Sequence, residues 1–117
     1  MIPPDSELCR LLYRLGVTAN YAGFFYLASA VRLCAEKPDR LLLVTKCVYP
    51  EVAKEYQTNW KAVERNIRTV TAIAWERGRC TLEQLAGRPL SEKPPAAQFL
   101  ALLTYSLFFQ RNTASSA

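Results

Sequence analysis

The sequence predicts an all-α domain, compact and built from six or seven helices, with a helix-turn-helix near its middle. Three observations carry that prediction. Apolar residues recur at spacings of three and four through most of the 117-residue chain, the period that lines one face of a helix. Isolated glycines and prolines punctuate those runs where helix ends are needed. No convincing strand pattern of alternating apolar and polar residues interrupts them. A chain of this length fits one domain, residues 1–117, with a single core.

Taken in order, Asp5 or Ser6 can cap a first helix carrying Leu8, Leu11, Leu12 and Leu15, closed by Gly16. Thr18 or Asn20 opens a second helix through YAGFFYLASAVRLC, with Phe24, Leu27, Val31 and Cys34 on one stripe. Gly23 permits a close approach by a neighbouring helix. Lys37-Pro38-Asp39 makes a turn, and Asp39 can cap a third helix, RLLLVTKCV. Pro50 suits the first turn of a fourth helix, where its missing N–H costs nothing.

The helix-turn-helix spans about residues 49–78. Gln57–Trp60 forms the turn, and Asn59 is the cap of a long helix ended by Gly78. Thr81 or Leu82 starts a short helix that stops near Gly87 and Pro89. SEKPPAA connects it to a last helix, AAQFLALLTYSLFFQ, which is apolar on most sides and should pack centrally or against a partner. That apolar excess leaves Phe108 or Phe109 exposed unless a partner covers it. The tail at residues 112–117 is small and polar and is expected to fray.

The long helix of that pair is the most informative element. Val63, Ile67, Val70 and Ala74 follow at spacings of four, three and four and line one side. Lys61, Arg65 and Arg68 stand opposite, flanked by Glu64 and Thr69. In a helix-turn-helix the first helix, here with Val52, Ala53 and Tyr56 inward, braces the second so that its N-terminal turns enter the DNA major groove. Arginine can bond guanine O6 and N7 with two parallel donors, which assigns base reading to Arg65 and Arg68 and phosphate contact to Lys61. Glu64 can accept from a cytosine amino group or pair with Arg68 four residues on, and the two roles can coexist. Lys46 and Lys54 are further phosphate candidates. Trp60 is either a packing residue or an aromatic wedge beside the DNA backbone, and the general burial of tryptophan favours packing. An ordinary amphipathic surface helix would share much of this charge pattern.

Composition narrows the field. The chain is 50% hydrophobic and 21% charged, with a net charge of +5 and a pI near 9.2. Residues 46–79 hold seven basic and four acidic side chains, so three of the five excess positive charges fall in that segment. That is the footprint a polyanion requires. No run approaches the roughly 18 apolar residues of a membrane span, and MIPPDSELCR lacks the basic start and apolar run of a secretion signal, so a cytoplasmic location is expected. Cys9, Cys34, Cys47 and Cys80 form no CxxC pair, and they read as reduced thiols that mostly serve as small core residues. Without histidine the usual zinc ligand sets and the commonest general base are missing. No metal site, cofactor, small-molecule substrate or enzyme motif is expected.

The segments LGVTANYAGFFYLASAV, VTKCVYPEVAKEY, AVERNIRTVTAIAWERG and KPPAAQFLALL resemble the C-terminal DNA-binding domain of the master response regulator of sporulation initiation in endospore-forming Firmicutes. They come in the family's order and cover the chain from Leu11 to about Leu107. The Y-P-x-[VI]-A-K element and the V-E-R-x-I-R…A-W-x-R-G run are the specific parts. The resemblance implies a six-helix domain that binds operator boxes of the TGTCGAA type, often as tandem head-to-tail copies, and that acts on transcription through RNA polymerase. Carried over by position, Glu64, Arg65 and Arg68 match the family's recognition-helix residues. Two departures lie beside them: Ala62 stands where the family usually has a basic residue, and Thr69 where it usually has histidine. The loop between Leu85 and Phe99 is a few residues shorter.

The family's regulators carry an N-terminal receiver domain that the ten residues before Leu11 do not supply. Met1 followed by a capped helix favours a natural stand-alone protein over an excised domain. The expected partner is double-stranded DNA, with RNA polymerase and a tandem second copy as further candidates. The expected DNA-binding set is Asn59, Lys61, Glu64, Arg65, Arg68 and Thr69, with Lys54 and Lys46. The competing reading is a helix-turn-helix interaction module that modulates a full-length regulator or RNA polymerase without specific DNA recognition.

Overall fold

In the computed structural model, which describes residues 6–109, helix α1 (Ser6–Arg14) buries Leu8, Leu11 and Leu12. The chain leaves it through Gly16, whose φ of 85° is the left-handed conformation that glycine adopts without strain. Asp5 and the Ser6 side chain, the expected caps, lie outside the described residues, as does the tail at 112–117.

Helix α2 (Ala22–Glu36) starts later than expected. Its cap position is Tyr21, which makes no side-chain cap hydrogen bond. The Thr18 hydroxyl donates instead to Asn20 Oδ1 within the preceding turn, so neither side chain reaches the helix end. The α2 residues Phe24, Leu27, Val31 and Cys34 are buried as their spacing implies, and so are Gly23, Ala28, Ser29, Ala30 and Leu33. With so much of its surface covered, α2 is the central element of the core. Of the four thiols only Cys34 is fully buried; Cys9 and Cys47 are half-buried and Cys80 is exposed, which corrects the expectation that most are core residues.

The third α-helix expected over RLLLVTKCV does not form. Residues Pro38–Leu42 make a 3-10 helix and Val44–Val48 a π-helical turn. Asp39 sits inside the first of these and is not its cap. The physical reason lies in four successive apolar residues, Leu41 to Val44, which no regular helix can bury on one face. The structure instead leaves Leu42 83% and Leu43 51% exposed and buries Val44, Val48 and Tyr49. Bonding Tyr49 N–H to the Val44 carbonyl closes a turn one residue wider than an α-turn, which brings all three to the core. The Arg40 guanidinium donates to the Leu33 carbonyl at 2.7 Å and ties the segment to the end of α2.

Helices α3 (Tyr49–Glu55) and α4 (Trp60–Arg77) follow, then α5 (Arg79–Ala86) and α6 (Ala96–Thr104). Among the described residues there is no strand. Helix α5 begins at Arg79, two or three residues earlier than expected, because Gly78 alone separates it from α4. Gly78 N–H still bonds Ala74 at 2.9 Å, while its own carbonyl accepts from Leu82 at 2.8 Å. One residue thus ends one helix and starts the next. A Cβ at Gly78 would lie 2.5 Å from Leu15 Cα, so the junction is pressed directly onto the end of α1.

Helix α6 buries Phe99, Leu100, Leu103 and Thr104 and runs into a second π-turn, Tyr105–Phe109. That wider turn changes the phase of the apolar face: Leu107 is buried and Phe108 is half-buried against the core. The expected exposure of Phe108 is therefore not found, and the Phe109 side chain lies outside the described residues. Among the described residues, the large exposed apolar side chains are Tyr13, Leu42, Leu43, Trp60 and Tyr105.

The tightest approach in the core is α2 on α4. A Cβ at Gly23 would sit 2.4 Å from the Asn66 carbonyl oxygen and 2.7 Å from Val70 Cγ1. Since the first obstacle is backbone, it cannot rotate aside. Gly23→Ala should therefore destabilise the domain by about 1–3 kcal/mol, the usual cost of overpacking. Urea denaturation checks this. An unchanged midpoint would mean that the two helices separate freely at this point.

Candidate nucleic-acid interface

The local sequence sets the helix-turn-helix in a definite order. Pro50 occupies the first turn of α3, and Val52 and Ala53 are buried. Tyr56 packs edge-on against Tyr26 with ring centroids 5.1 Å apart. The chain then reverses through Gln57, the one described non-glycine residue with positive φ, at 54°. Thr58 N–H closes the turn on the Ala53 carbonyl at 2.9 Å. Asn59 in extended conformation caps α4, its Oδ1 accepting from Ala62 N–H at 2.9 Å. This satisfies one of the orphan donors at the helix start.

A polar cluster that the sequence reading missed holds α3 against α2. Ser29 Oγ donates to Glu55 Oε1 at 2.6 Å, and Arg32 Nη2 donates to the same oxygen at 3.0 Å. A second Arg32 nitrogen lies 3.5 Å from Glu36. The residue types sit on different helices, 26 and 23 positions apart in sequence, so no local pattern announces them. Beyond α4, Arg79 lies over the Trp75 ring at 4.2 Å and donates to the Leu90 carbonyl at 2.6 Å. Glu83 accepts from Leu90 N–H at 2.7 Å. Arg79 is thereby occupied in fastening α5 and the following loop to the end of α4.

Helix α4 divides cleanly. Val63, Ile67, Val70 and Ala74 are fully buried, together with Thr71, whose hydroxyl donates to the Ile67 carbonyl at 2.8 Å. Lys61, Arg65, Arg68 and Thr69 are exposed, and Glu64 is half-buried. Arg68 Nη2 meets Glu64 Oε1 at 2.7 Å, the i,i+4 pair expected from the spacing. Such a pair at the surface contributes only about 0.3–0.5 kcal/mol to stability, and its main effect is to hold a guanidinium at a defined place. The Thr69 hydroxyl donates to the Arg65 carbonyl at 3.0 Å. Lys54 is exposed with Glu51 at 4.0 Å, and Lys46 is exposed on the π-turn before α3.

Trp60 departs from the packing expectation. It is 38% exposed at the first position of α4, with Lys61 Nζ 5.9 Å from its ring centroid. An N-terminal helical position projects beyond the neighbouring core, which leaves the indole partly in solvent.

A concavity adjoins this face. A groove of about 380 Å³ is lined by Thr45, Tyr49, Glu64, Arg68, Thr71 and residues 93–97. It brings Glu64 and Arg68 together with Lys93 of the connecting loop before α6. Burial pushes the Tyr49 phenol up to about 12, with the Glu64 carboxylate adding to the rise and Arg68 opposing it. Burial likewise pushes the Cys34 thiol up to about 11, opposed by Arg40.

A helix-turn-helix whose second helix carries its cations clear of the core belongs to the class of DNA-binding transcription-regulator domains. Over residues 8–107 the chain matches the family described as sporulation initiation factor Spo0A C terminal, and it belongs to that family. The family is one of DNA-binding regulatory domains and not of enzymes. Among the described residues, no helix is long and apolar enough to cross a membrane.

The Asn59 cap should be worth about 1 kcal/mol, so Asn59→Ala should lower stability within the 0.5–2 kcal/mol range of such caps. Chemical denaturation read by far-UV circular dichroism measures it, and no change would deny the cap its role. Alkaline pH gives a second check. Cys34 and Tyr49 have ordinary values of 9.0 and 10.0, and the fold raises both. Their neutral forms are therefore favoured by folding, and the stability they contribute is complete below about pH 9. It should fall as pH rises from there towards about 12, read as a declining urea midpoint. A flat midpoint across that window would contradict the burial of both groups.

Proposed function

We propose that this chain is a single helix-turn-helix domain, residues 1–117, that regulates transcription by reading short operator boxes with α4. The observation that carries this reading is the division of α4: a fully buried stripe at Val63, Ile67, Val70 and Ala74, and Lys61, Arg65 and Arg68 exposed opposite. In this reading Arg65 and Arg68 donate to guanine edges, and Glu64 steers Arg68 while accepting from a cytosine amino group. Lys61, Lys54 and Lys46 contact phosphates, Asn59 sets the start of the helix at the backbone, and Thr69 borders the bases. Trp60 packs on the sugar–phosphate edge. Ala62 and Thr69 alter the box preference relative to the TGTCGAA type. Action in the cytoplasm, contact with RNA polymerase and pairing of two copies on tandem boxes complete the proposal.

The exposed Leu42 and Leu43 favour a second reading, an interaction module that works on a full-length regulator or RNA polymerase without reading DNA. Light scattering after size exclusion, set beside DNA titrations, separates the two. A monomer with tight specific DNA binding excludes the module.

Gel-shift titration against a TGTCGAA-type duplex and a scrambled control tests the main reading, and selection from a random pool names the preferred box. Arg65→Ala should cost about 1–3 kcal/mol on the specific site and flatten discrimination at one position. Lys61→Ala should weaken both duplexes about equally and make the salt dependence shallower. Equal binding of wild-type protein to both duplexes would refute operator reading.

A further inference from the structure

Of the residues lining the groove beside α4, Glu64 and Arg68 belong to the base-reading set, while Thr45, Lys93 and the prolines after it have no part in base reading. Glu64, Arg68 and Thr71 line one wall at positions i, i+4 and i+7, which is one flank of the helix. Lys93, Pro94 and Pro95, from the segment before α6, line the groove as well, together with Thr45 and Tyr49. Pro94 and Tyr49 are buried, whereas Thr45 and Lys93 are exposed.

The charges are unequal. Glu64 and Arg68 neutralise one another at 2.7 Å. Lys93 has no ion-pair partner among the described residues, and the Thr45 hydroxyl has no hydrogen-bond partner there. One uncompensated cation and a free hydroxyl donor thus line the same open groove of about 380 Å³. The Tyr49 phenol is protonated at neutral pH, and burial raises its pKa further, so Glu64 is the one negative group among the lining residues.

When a recognition helix lies in the major groove, a sugar–phosphate strand passes along each of its flanks. The flank marked by Glu64, Arg68 and Thr71 is the one that opens into this groove. We propose that the groove seats one backbone phosphate of bound DNA, with Lys93 as its counter-charge and Thr45 as a hydroxyl donor. The proposal rests on the reading of α4 as the DNA-entering helix. Its consequence is positional. A phosphate clamped between α4 and the segment entering α6 fixes the depth and register of the helix without reading a base. Arg68 is then left on Glu64, aimed at the base edges.

The test uses the full chain on the operator duplex and on the scrambled control. Lys93→Ala should weaken both by a similar factor and reduce the slope of log affinity against log salt by about 0.9, the increment of one phosphate. Replacing single phosphates by neutral methylphosphonates along each operator strand then locates the seat. One position should weaken wild-type protein and have no further effect on Lys93→Ala. Lys37→Ala removes an exposed lysine outside the groove and should leave the slope as it was. Circular dichroism melting of each variant confirms folding before binding is compared.

The seat is overturned by an unchanged Lys93→Ala titration, by equal losses in Lys93→Ala and Lys37→Ala, or by a scan with no position that couples to Lys93. These outcomes differ from failure of the operator reading, in which wild-type protein itself would bind both duplexes equally.

Discussion

The close approach of α2 to α4 at Gly23 is the constraint on which the molecule depends. A backbone carbonyl, that of Asn66, occupies the space where any other residue would carry its Cβ. Because of it, the buried stripe of α4 can press onto α2 along its length, and Val63, Ile67, Val70 and Ala74 lose all contact with water. Both ends of α4 are governed in a similar way. At its start the Asn59 carboxamide replaces a missing turn of backbone acceptors. At its end Gly78 lies against Leu15, where no side chain fits. A helix held at three places has little freedom to tilt, and its outer face is presented at a set angle.

The bracing helix, α3, is short, and its seven residues would not hold a helix alone. Its stability comes from tertiary contacts: Val52 and Ala53 in the core, Tyr56 against Tyr26, and the Glu55 carboxylate shared by Ser29 and Arg32. The shared carboxylate also settles charge. Glu55 and Arg32 satisfy each other away from the outer face of α4, just as Arg79 is engaged with Trp75, Glu83 and Leu90. Several charged residues near α4 are therefore structural. The cations left outward, Lys61 and Arg65 above all, are the ones whose charge the fold does not consume.

The Glu64–Arg68 pair shows how one contact serves two ends. Its contribution to stability is small because both partners meet water. Its geometric effect is larger, since it restrains a long side chain that would otherwise sample many rotamers. It also leaves the adjoining groove with the single unbalanced charge of Lys93. The electrostatic character of that face thus follows from pairing as much as from composition.

The sequence by itself determined the all-α class, the order of the helices, the inward stripe of α4 and the Asn59 cap. All of these are local: a period of three and four, or a carboxamide three residues before the N–H it accepts from. The exposed cations of α4 were legible for the same reason, because a helix fixes which residues oppose its buried side. Only the tertiary structure decided the rest. It broke RLLLVTKCV into a 3-10 helix and a π-turn, since the core could take Val44, Val48 and Tyr49 but not Leu42 and Leu43. It turned Leu107 and Phe108 inward and left Trp60 partly in water. It joined Ser29 to Glu55 and brought Lys93 beside Arg68. Those outcomes depend on residues tens of positions apart, and a one-dimensional period carries no information about which distant surfaces will meet.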